Sequence, residues 1–591
     1  MPPDLKAPPD PPAPRDPAAR CYRYQGAVVV DHHLLLIKHR IHDSGREFWI
    51  IPGGGRLDGE AEEETVRREL NEETCLEVRV ERLLLDEAWP DDAGRSGAKT
   101  YLCTPLGGQL RPGIEPEPEV AAIYAITDVG WFDLRSRAEW GPLVFNDRKT
   151  YRLLLDLQRA LGYAPDAPEL DLFSPDFQAD PYPDYARLRA ASSTGAASST
   201  GAASSTGAAS STGAAGSLVW HASSGMWLAG RYADVSALLR DRRLGRARPG
   251  AAAPADRESL PPFQRLDAYS FFDQEPPNHT RLRGLVAQVF TPRRVEALRP
   301  QVESAGGELL GAALRRGRFD LVEDYAAPLP VAVIADLLGI PPADRDRLRP
   351  WSAAIVAMYE LRHTPAQEQA AGQAAGEFWD YLDWLANARR REPQDDLISA
   401  LAAAMDAETG ARLSQEELIA ACILLLNAGH EATVNAFGNG MLALFQDWRA
   451  RERLAADASP TNLRRAVEEM LRYNTPLQLF RRWVYADCDY AGQRLQAGQQ
   501  VALFLGSANR DPERFERPDE FDITRSDNPH LAFGAGIHYC LGAPLARLEL
   551  EIALGALLRL APKLRLDGDP VRKPSFVIRG YQSIPVIEHQ G

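Results

Sequence analysis

Two groups of side chains in this 591-residue chain have the types and spacing to do chemistry. The first is Cys540, set in the run Phe533-Gly534-Ala535-Gly536-Ile537-His538-Tyr539-Cys540-Leu541-Gly542. Glycines on either side let the backbone turn sharply and bring N–H groups close to whatever the cysteine holds. A helix-like stretch, 543–558, follows at once. A thiol facing backbone donors beside a helix N-terminus is expected to stay ionised and can ligate a metal. The second group is Glu69, Glu72 and Glu73, which share one face of the charged helix expected over 60–74. Carboxylates crowded in this way repel one another unless cations neutralise them. Hard oxygen donors of this kind suit magnesium or manganese, which in turn hold phosphates. The residues alone leave two plainer readings open: a glycine-rich turn around a buried cysteine, and a solvated helix laced by Glu63–Arg67 and Glu64–Arg68 pairs.

Each group sits in a longer pattern. The cysteine run reads Phe-Gly-x-Gly-x-His-x-Cys-x-Gly and resembles the haem-ligand loop of the cytochrome P-450 family. Further stretches resemble the same family in the right order. These are the helix opening at 180–189, the pair His279 and Arg283 on one helical face, and Ala428-Gly429-His430-Glu431-Ala432-Thr433 in a long apolar helix over 418–445. Glu469-Met470-Leu471-Arg472 and then Arg482 complete the series. The resemblance implies haem b, with Cys540 as axial ligand to its iron. His279, Arg283, Arg482 and His538 would meet the propionates, and Phe533 and Gly534 would bind the cofactor from the loop. Glu431 and Thr433 would serve catalysis from the oxygen-activating helix. Glu469 and Arg472 would form a buried structural pair, joined by Arg525. The chain departs from the family at Ala432, where a methyl stands in place of the usual threonine hydroxyl. Thr433 is displaced by one position, about 100° around the helix.

The 23 residues from Gly54 to Leu76 match the Nudix box at every signature position but Cys75, where that family has glycine. This resemblance implies a hydrolase of nucleoside diphosphate derivatives, with magnesium or manganese held by Glu69, Glu72 and Glu73. Glu72 and Glu73 would carry catalysis, Arg68 would orient the carboxylates, and Glu60 would assist from the loop. Gly53 and Gly54 would let backbone approach the site. Glu117 and Glu119 are candidates for an additional base.

The elements that must position these groups divide the chain. Residues 1–20 hold eight prolines and no apolar core, and are expected to be a disordered tail. A hairpin over 27–37 and a strand at 49–51 lead to the glutamate helix, and 21–162 is expected to form an α/β Nudix domain. A Pro/Asp-rich connector is expected at 163–179, then a mainly α P-450 domain with a small β-rich region over 180–591. Four copies of Ser-Ser-Thr-Gly-Ala-Ala, at 192–215, are too small and polar to build a core. They follow the first P-450-like helix and so are read as an insertion within that domain.

A net charge of −15 argues against a broad nucleic-acid-binding surface. Six cysteines without paired spacing point to a reducing, cytoplasmic setting. No uninterrupted apolar run reaches the roughly 18 residues needed to span a bilayer, so no membrane partner is expected. The resemblances together imply a monooxygenase that inserts one oxygen atom into a small organic substrate. No flavin- or ferredoxin-like segment is left over, so electrons are expected from a separate ferredoxin and its reductase. The alternative is a peroxygenase or other haem-thiolate enzyme, with the Nudix half as a nucleotide-binding regulatory module.

Overall fold

The computed structural model describes residues 22–588 apart from 43–44, 46, 89–96, 114–120, 136–139, 141–143, 145–147, 164–169, 173, 195–216, 222–223, 250–256, 258 and 406–408. Glu117, Glu119 and residues 195–215 of the repeat therefore lie outside the described residues. The chain divides into two compact units: Met1–Leu170 with Trp220–Met226, and Asp171–Val219 with Trp227–Gly591.

In the first unit β1 (Tyr22–Val30) and β2 (His33–Ile41) form the expected hairpin, with Val30 opposite His33. β3 (Glu47–Ile50) and β4 (Gly53–Gly54) lead into α1 (Glu62–Thr74). β5 (Leu76–Ala88), β6 (Gly97–Gly108) and β7 (Tyr124–Asp133) complete a seven-stranded sheet, in which β1 and β6 run parallel. Successive strand residues face opposite sides. Ala27, Leu34 and Leu36 accordingly enter one core with Leu154 and Leu157 of α2 (Arg148–Ala160), while Val28 and Leu35 enter another with Val66 and Leu70 of α1. A sheet covered by helices on both faces leaves α1 anchored, with its glutamates at the rim of β4.

The second unit is mainly helical. The stretch 171–179, expected to be connector, belongs to it. Its short helix Pro175–Ala179 buries Phe177 against Tyr185 and Phe576, and the Arg579 guanidinium donates to the carbonyls of Gln178 and Ala179 at 2.6 Å each. After α3 (Tyr182–Thr194), the strands Leu244–Gly245, Leu479–Val484, Gln500–Phe504 and Met226–Ala229 lie side by side in that order. The centre of the unit is the helix Gln415–Gln446, begun by a Ser414 cap whose side chain accepts from the Glu417 amide. By length and mean composition this helix could cross a membrane, although Asn427, His430 and Glu431 interrupt its apolar run. It owes its apolarity to burial on nearly all sides, with 72% of its most apolar window inside the protein.

Candidate functional site

The cysteine loop is built from backbone bonds. Gly534 donates from its amide to the Leu531 carbonyl at 2.8 Å, and Cys540 donates to the Phe533 carbonyl at 3.0 Å. Gly536 needs to be glycine: its φ is +74°, and a Cβ there would meet the Leu239 carbonyl oxygen at 2.5 Å. Gly542 caps the helix Ala543–Leu560. Burial pushes the Cys540 thiol above its usual range. The amides of Gly542 and Ala543 and the cations Arg283 and Arg547 oppose this without winning. Desolvation opposes the thiolate that the loop's donors favour, and a cation bound at the sulfur would favour the ionised form.

Cys540 opens into a cavity of about 440 Å³. His279, Arg283, His538 and Phe533 line it, and Glu431, Ala432 and Thr433 face it from the central helix. The structure therefore brings the sequence-predicted residues of the second unit to one place, with Arg482 buried close behind. His279 and His538 stack obliquely with ring centroids 4.3 Å apart, and His538 Nε2 bonds Glu275 Oε1 at 3.1 Å. Burial and the neighbouring His538 and Arg283 depress His279 to a pKa of about 4. Arg283 donates to the Tyr539 carbonyl in the cysteine loop. Burial, with Arg246 nearby, lowers Arg482 to about 9.

Two polar atoms in this group are buried without a partner, His279 Nε2 and Arg482 Nη2. An unpaired buried guanidinium is costly. The set therefore fits a dianionic cofactor lying over Cys540, as haem is, with carboxylates to satisfy these donors.

Sequence reasoning missed Arg246. It also lines the cavity, donates through Nε to Asp273 Oδ1 at 2.8 Å, and lies over the Phe272 ring with its guanidinium carbon 3.7 Å from the centroid. No spacing rule marks it, because the carboxylates that bond it arrive from 27 or more residues away.

On the central helix, Glu431 accepts from Lys573 Nζ at 2.8 Å and lies 3.6 Å from His430 Nε2. Burial alone would raise the Glu431 pKa, but His430 and Lys573 reverse it, and the carboxylate is held below its usual range. The Thr433 hydroxyl donates to the Gly429 carbonyl at 3.0 Å, bonding back along its own helix. Glu469 and Arg472 are fully buried and paired, and Arg525 Nε reaches Glu469 at 3.2 Å, as expected.

In the first unit, Arg68 is the hub. Its guanidinium donates to Glu60, Glu69 and Glu72 at 2.9 Å and to the Gly55 carbonyl at 2.9 Å. The solvated-helix reading is met only in part. Glu63 and Arg67 pair at 3.4 Å, while Glu64 turns back to cap the Ala61 amide at 3.0 Å. Glu73 is buried and accepts from the Gly53 amide at 2.6 Å. Gly54 leaves room for the Glu69 carboxylate, which a Cβ there would meet at 2.4 Å and displace. Cys75, the departure from the box, has φ +59° and ψ +22°, a left-handed cap that glycine adopts more easily.

Burial raises Glu69 to about 7 against the pull of Arg68. Three carboxylates around one guanidinium, with Glu73 on the same helix, suit a hard divalent cation in charge and donor type. Among the described residues, however, no three side chains of ligand type are gathered as a metal cage. Arg68 joins Glu69 to Glu72, and Glu73 is tied to Gly53.

A helical unit with a cysteine-capped cavity and unsatisfied cations defines a haem-thiolate protein, and a mixed sheet with the Arg68-centred helix defines a Nudix fold. Comparison with known proteins agrees. The cytochrome P450 family model matches residues 354–561, and the NUDIX domain model matches 17–154. The cytochrome P450 monooxygenase PikC of Streptomyces venezuelae is 40% identical over 443 residues, covering 73% of this chain and 97% of that protein. The polyketide biosynthesis cytochrome P450 PksS of Bacillus subtilis is 41% identical, covering 61% of this chain and 88% of that protein. The structure of P450BioI with an acyl carrier protein ligated to hexadec-9Z-enoic acid aligns with TM-score 0.60 and 33% identity, covering 70% of this chain and all of that one. The chain belongs to the cytochrome P450 family and carries a Nudix domain ahead of its P450 fold. It is an oxidoreductase with a second, hydrolase domain.

Proposed function

We propose that the second unit binds haem b through Cys540 and inserts one oxygen atom into a small organic substrate in the 440 Å³ cavity. The observation that carries this reading is the pair of buried, unpartnered donors, His279 Nε2 and Arg482 Nη2, beside a cavity that ends at Cys540. Arg482, His279, Arg283 and His538 would hold the propionates, with Phe533 and Gly534 shaping the loop. When bound, the haem supplies oxygen activation, favoured by electron density from a thiolate ligand. The chain's residues bind the cofactor, exclude water and manage protons. Glu431, kept ionised beside Lys573, holds no proton of its own to give and can only pass one on. The Thr433 hydroxyl spends its hydrogen on Gly429, and Ala432 offers only a methyl. Proton delivery then depends on Glu431, on water and on the substrate's own donors. Electrons come from a ferredoxin and its reductase.

The same three residues favour a second reading, a peroxygenase, which needs no electron-coupled proton relay. Product formation with peroxide alone, compared with ferredoxin and reductase, separates the two.

For the first unit the reading is hydrolysis of a nucleoside diphosphate derivative, with Glu69, Glu72 and Glu73 holding magnesium or manganese and Glu72 and Glu73 carrying catalysis. It is supported by the surplus of carboxylates around Arg68. A nucleotide-binding regulatory module is the alternative for this half. Cys540→Ser should abolish the thiolate-type spectrum of the reduced carbon monoxide complex, and a mutant that keeps it would mean another ligand. Glu72→Gln with Glu73→Gln should remove metal-dependent hydrolysis and leave haem content unchanged. A wild type that hydrolyses no such derivative with any divalent metal would favour the regulatory module.

A further inference from the structure

Arg481 lines the cavity as a cation without a bonding partner among the described residues. Arg481 lies on the strand Leu479–Val484, next to Arg482, and successive strand residues face opposite sides. Arg482 is buried, whereas Arg481 is exposed, and the surface it exposes lines the cavity. Leu477, Leu479, Val577 and Ile578 line the same cavity. Among the described residues its guanidinium makes no hydrogen bond or ion pair. Burial lowers its pKa, and Arg246 adds to that, while Asp273 and Glu360 oppose it. Neither acid bonds it in the structure. Asp273 is engaged by Arg246 at 2.8 Å, and Glu360 accepts from the amides of Phe576, Val577 and Ile578 at 3.0, 3.0 and 3.2 Å. When a substrate fills the cavity and displaces water from it, this cation is unfavourable unless the substrate pairs with it.

We propose that Arg481 is a specificity-determining residue that recognises a carboxylate on the molecule oxidised in this cavity. The planar fork of a guanidinium matches a carboxylate through two parallel hydrogen bonds, which fixes orientation as well as position. The carboxylate end would be held at the strand, and the chain or ring beyond it would run along Leu424, Leu425 and Ile334 towards Cys540. This proposal rests on the reading that the cavity holds haem and substrate together.

The test uses haem-loaded full-length protein and probes anchored at the iron: imidazol-1-yl derivatives of hexanoic, octanoic, decanoic and dodecanoic acid, each with its methyl ester. Imidazole coordination shifts the Soret band and reports affinity. Wild type should bind at least one acid roughly ten- to a hundredfold more tightly than its ester, the range of a charge-assisted pair. Arg481→Gln should erase that preference and leave ester affinity unchanged, and Arg481→Lys should keep part of it. Equal binding of acid and ester across the series, or a preference that survives Arg481→Gln, overturns the proposal. A loss of haem content in Arg481→Gln also overturns it, since Arg481 would then serve a propionate. If plain imidazole gives no Soret shift in wild type, the haem-thiolate reading itself fails, and this proposal with it.

Discussion

Removing Glu469 tests what holds the cysteine loop in place. Its carboxylate accepts five hydrogen bonds: two from Arg472 at 2.8 Å, and one each from the Asp522 amide at 2.8 Å, Arg525 at 3.2 Å and Asn528 at 3.1 Å. Arg472 in turn donates to the carbonyls of Asn509, Pro518 and Glu520 at 2.9, 2.7 and 3.0 Å. Both side chains are fully buried. Together they tie one helix to the backbone between Asn509 and Asn528, which leads directly into Phe533 and the ligand cysteine.

Glu469→Ala would leave the Arg472 charge buried with only carbonyls around it. Breaking one half of such a pair costs about 3–5 kcal/mol. That is a large share of the roughly 5–15 kcal/mol by which a domain is stable, and in a unit of this size corresponds to a fall of about 3–6 °C in Tm. Glu469→Gln keeps the shape and most of the acceptors and should cost less. The measurement is thermal unfolding of haem-loaded protein, followed in parallel by far-ultraviolet circular dichroism and Soret absorbance. Haem release should precede loss of helix, because the loop loses its tether first. A double-mutant cycle with Arg472→Met isolates the pair, and the double variant should recover part of the loss. The reasoning is refuted if Glu469→Ala costs less than about 1 kcal/mol, or if its effect and that of Arg472→Met simply add.

Two further outcomes follow from single side chains. His39 is buried against Tyr124, its pKa lowered to about 3 by burial and by Arg23. The folded first unit therefore binds fewer protons than the unfolded chain between about pH 6.5 and 3. Its stability is full above that window and falls by on the order of 3–5 kcal/mol as pH drops through it. Hydrogen exchange of the β2 amides should show this acid slope in wild type and lose it in His39→Phe, and an unchanged slope would assign it to other groups. Ala432→Thr should raise the product formed per reduced nicotinamide consumed, most of all for substrates lacking a hydroxyl near the oxidised carbon. Equal, tight coupling in both proteins with both kinds of substrate would mean that Ala432 is incidental.

The residues legible in the sequence are those whose chemistry dictates their spacing. A thiolate loop needs glycine at fixed offsets from Cys540, and a helix sets His279 and Arg283 four apart, so pattern alone reaches them. The glutamate helix was legible for the same reason, down to the turn at Cys75, whose left-handed backbone accounts for the glycine the Nudix box has there. The Glu64–Arg68 pair failed because spacing along a helix says which groups can meet, and not which nearer partner will win. Glu60 enters from the preceding loop and claims Arg68, while the helix start claims Glu64. Arg246 and Arg481 were beyond reach for a stronger form of the same reason. Nothing within a helical turn or a strand pair of Arg246 foretells Asp273 or Phe272. Arg481 acquires its meaning only when its strand pairs with Gln500–Phe504 and turns one arginine towards the cofactor side and the next into open cavity. Chemistry common to a family is written in short motifs, while the residues that would select this chain's own substrate meet only in the folded cavity.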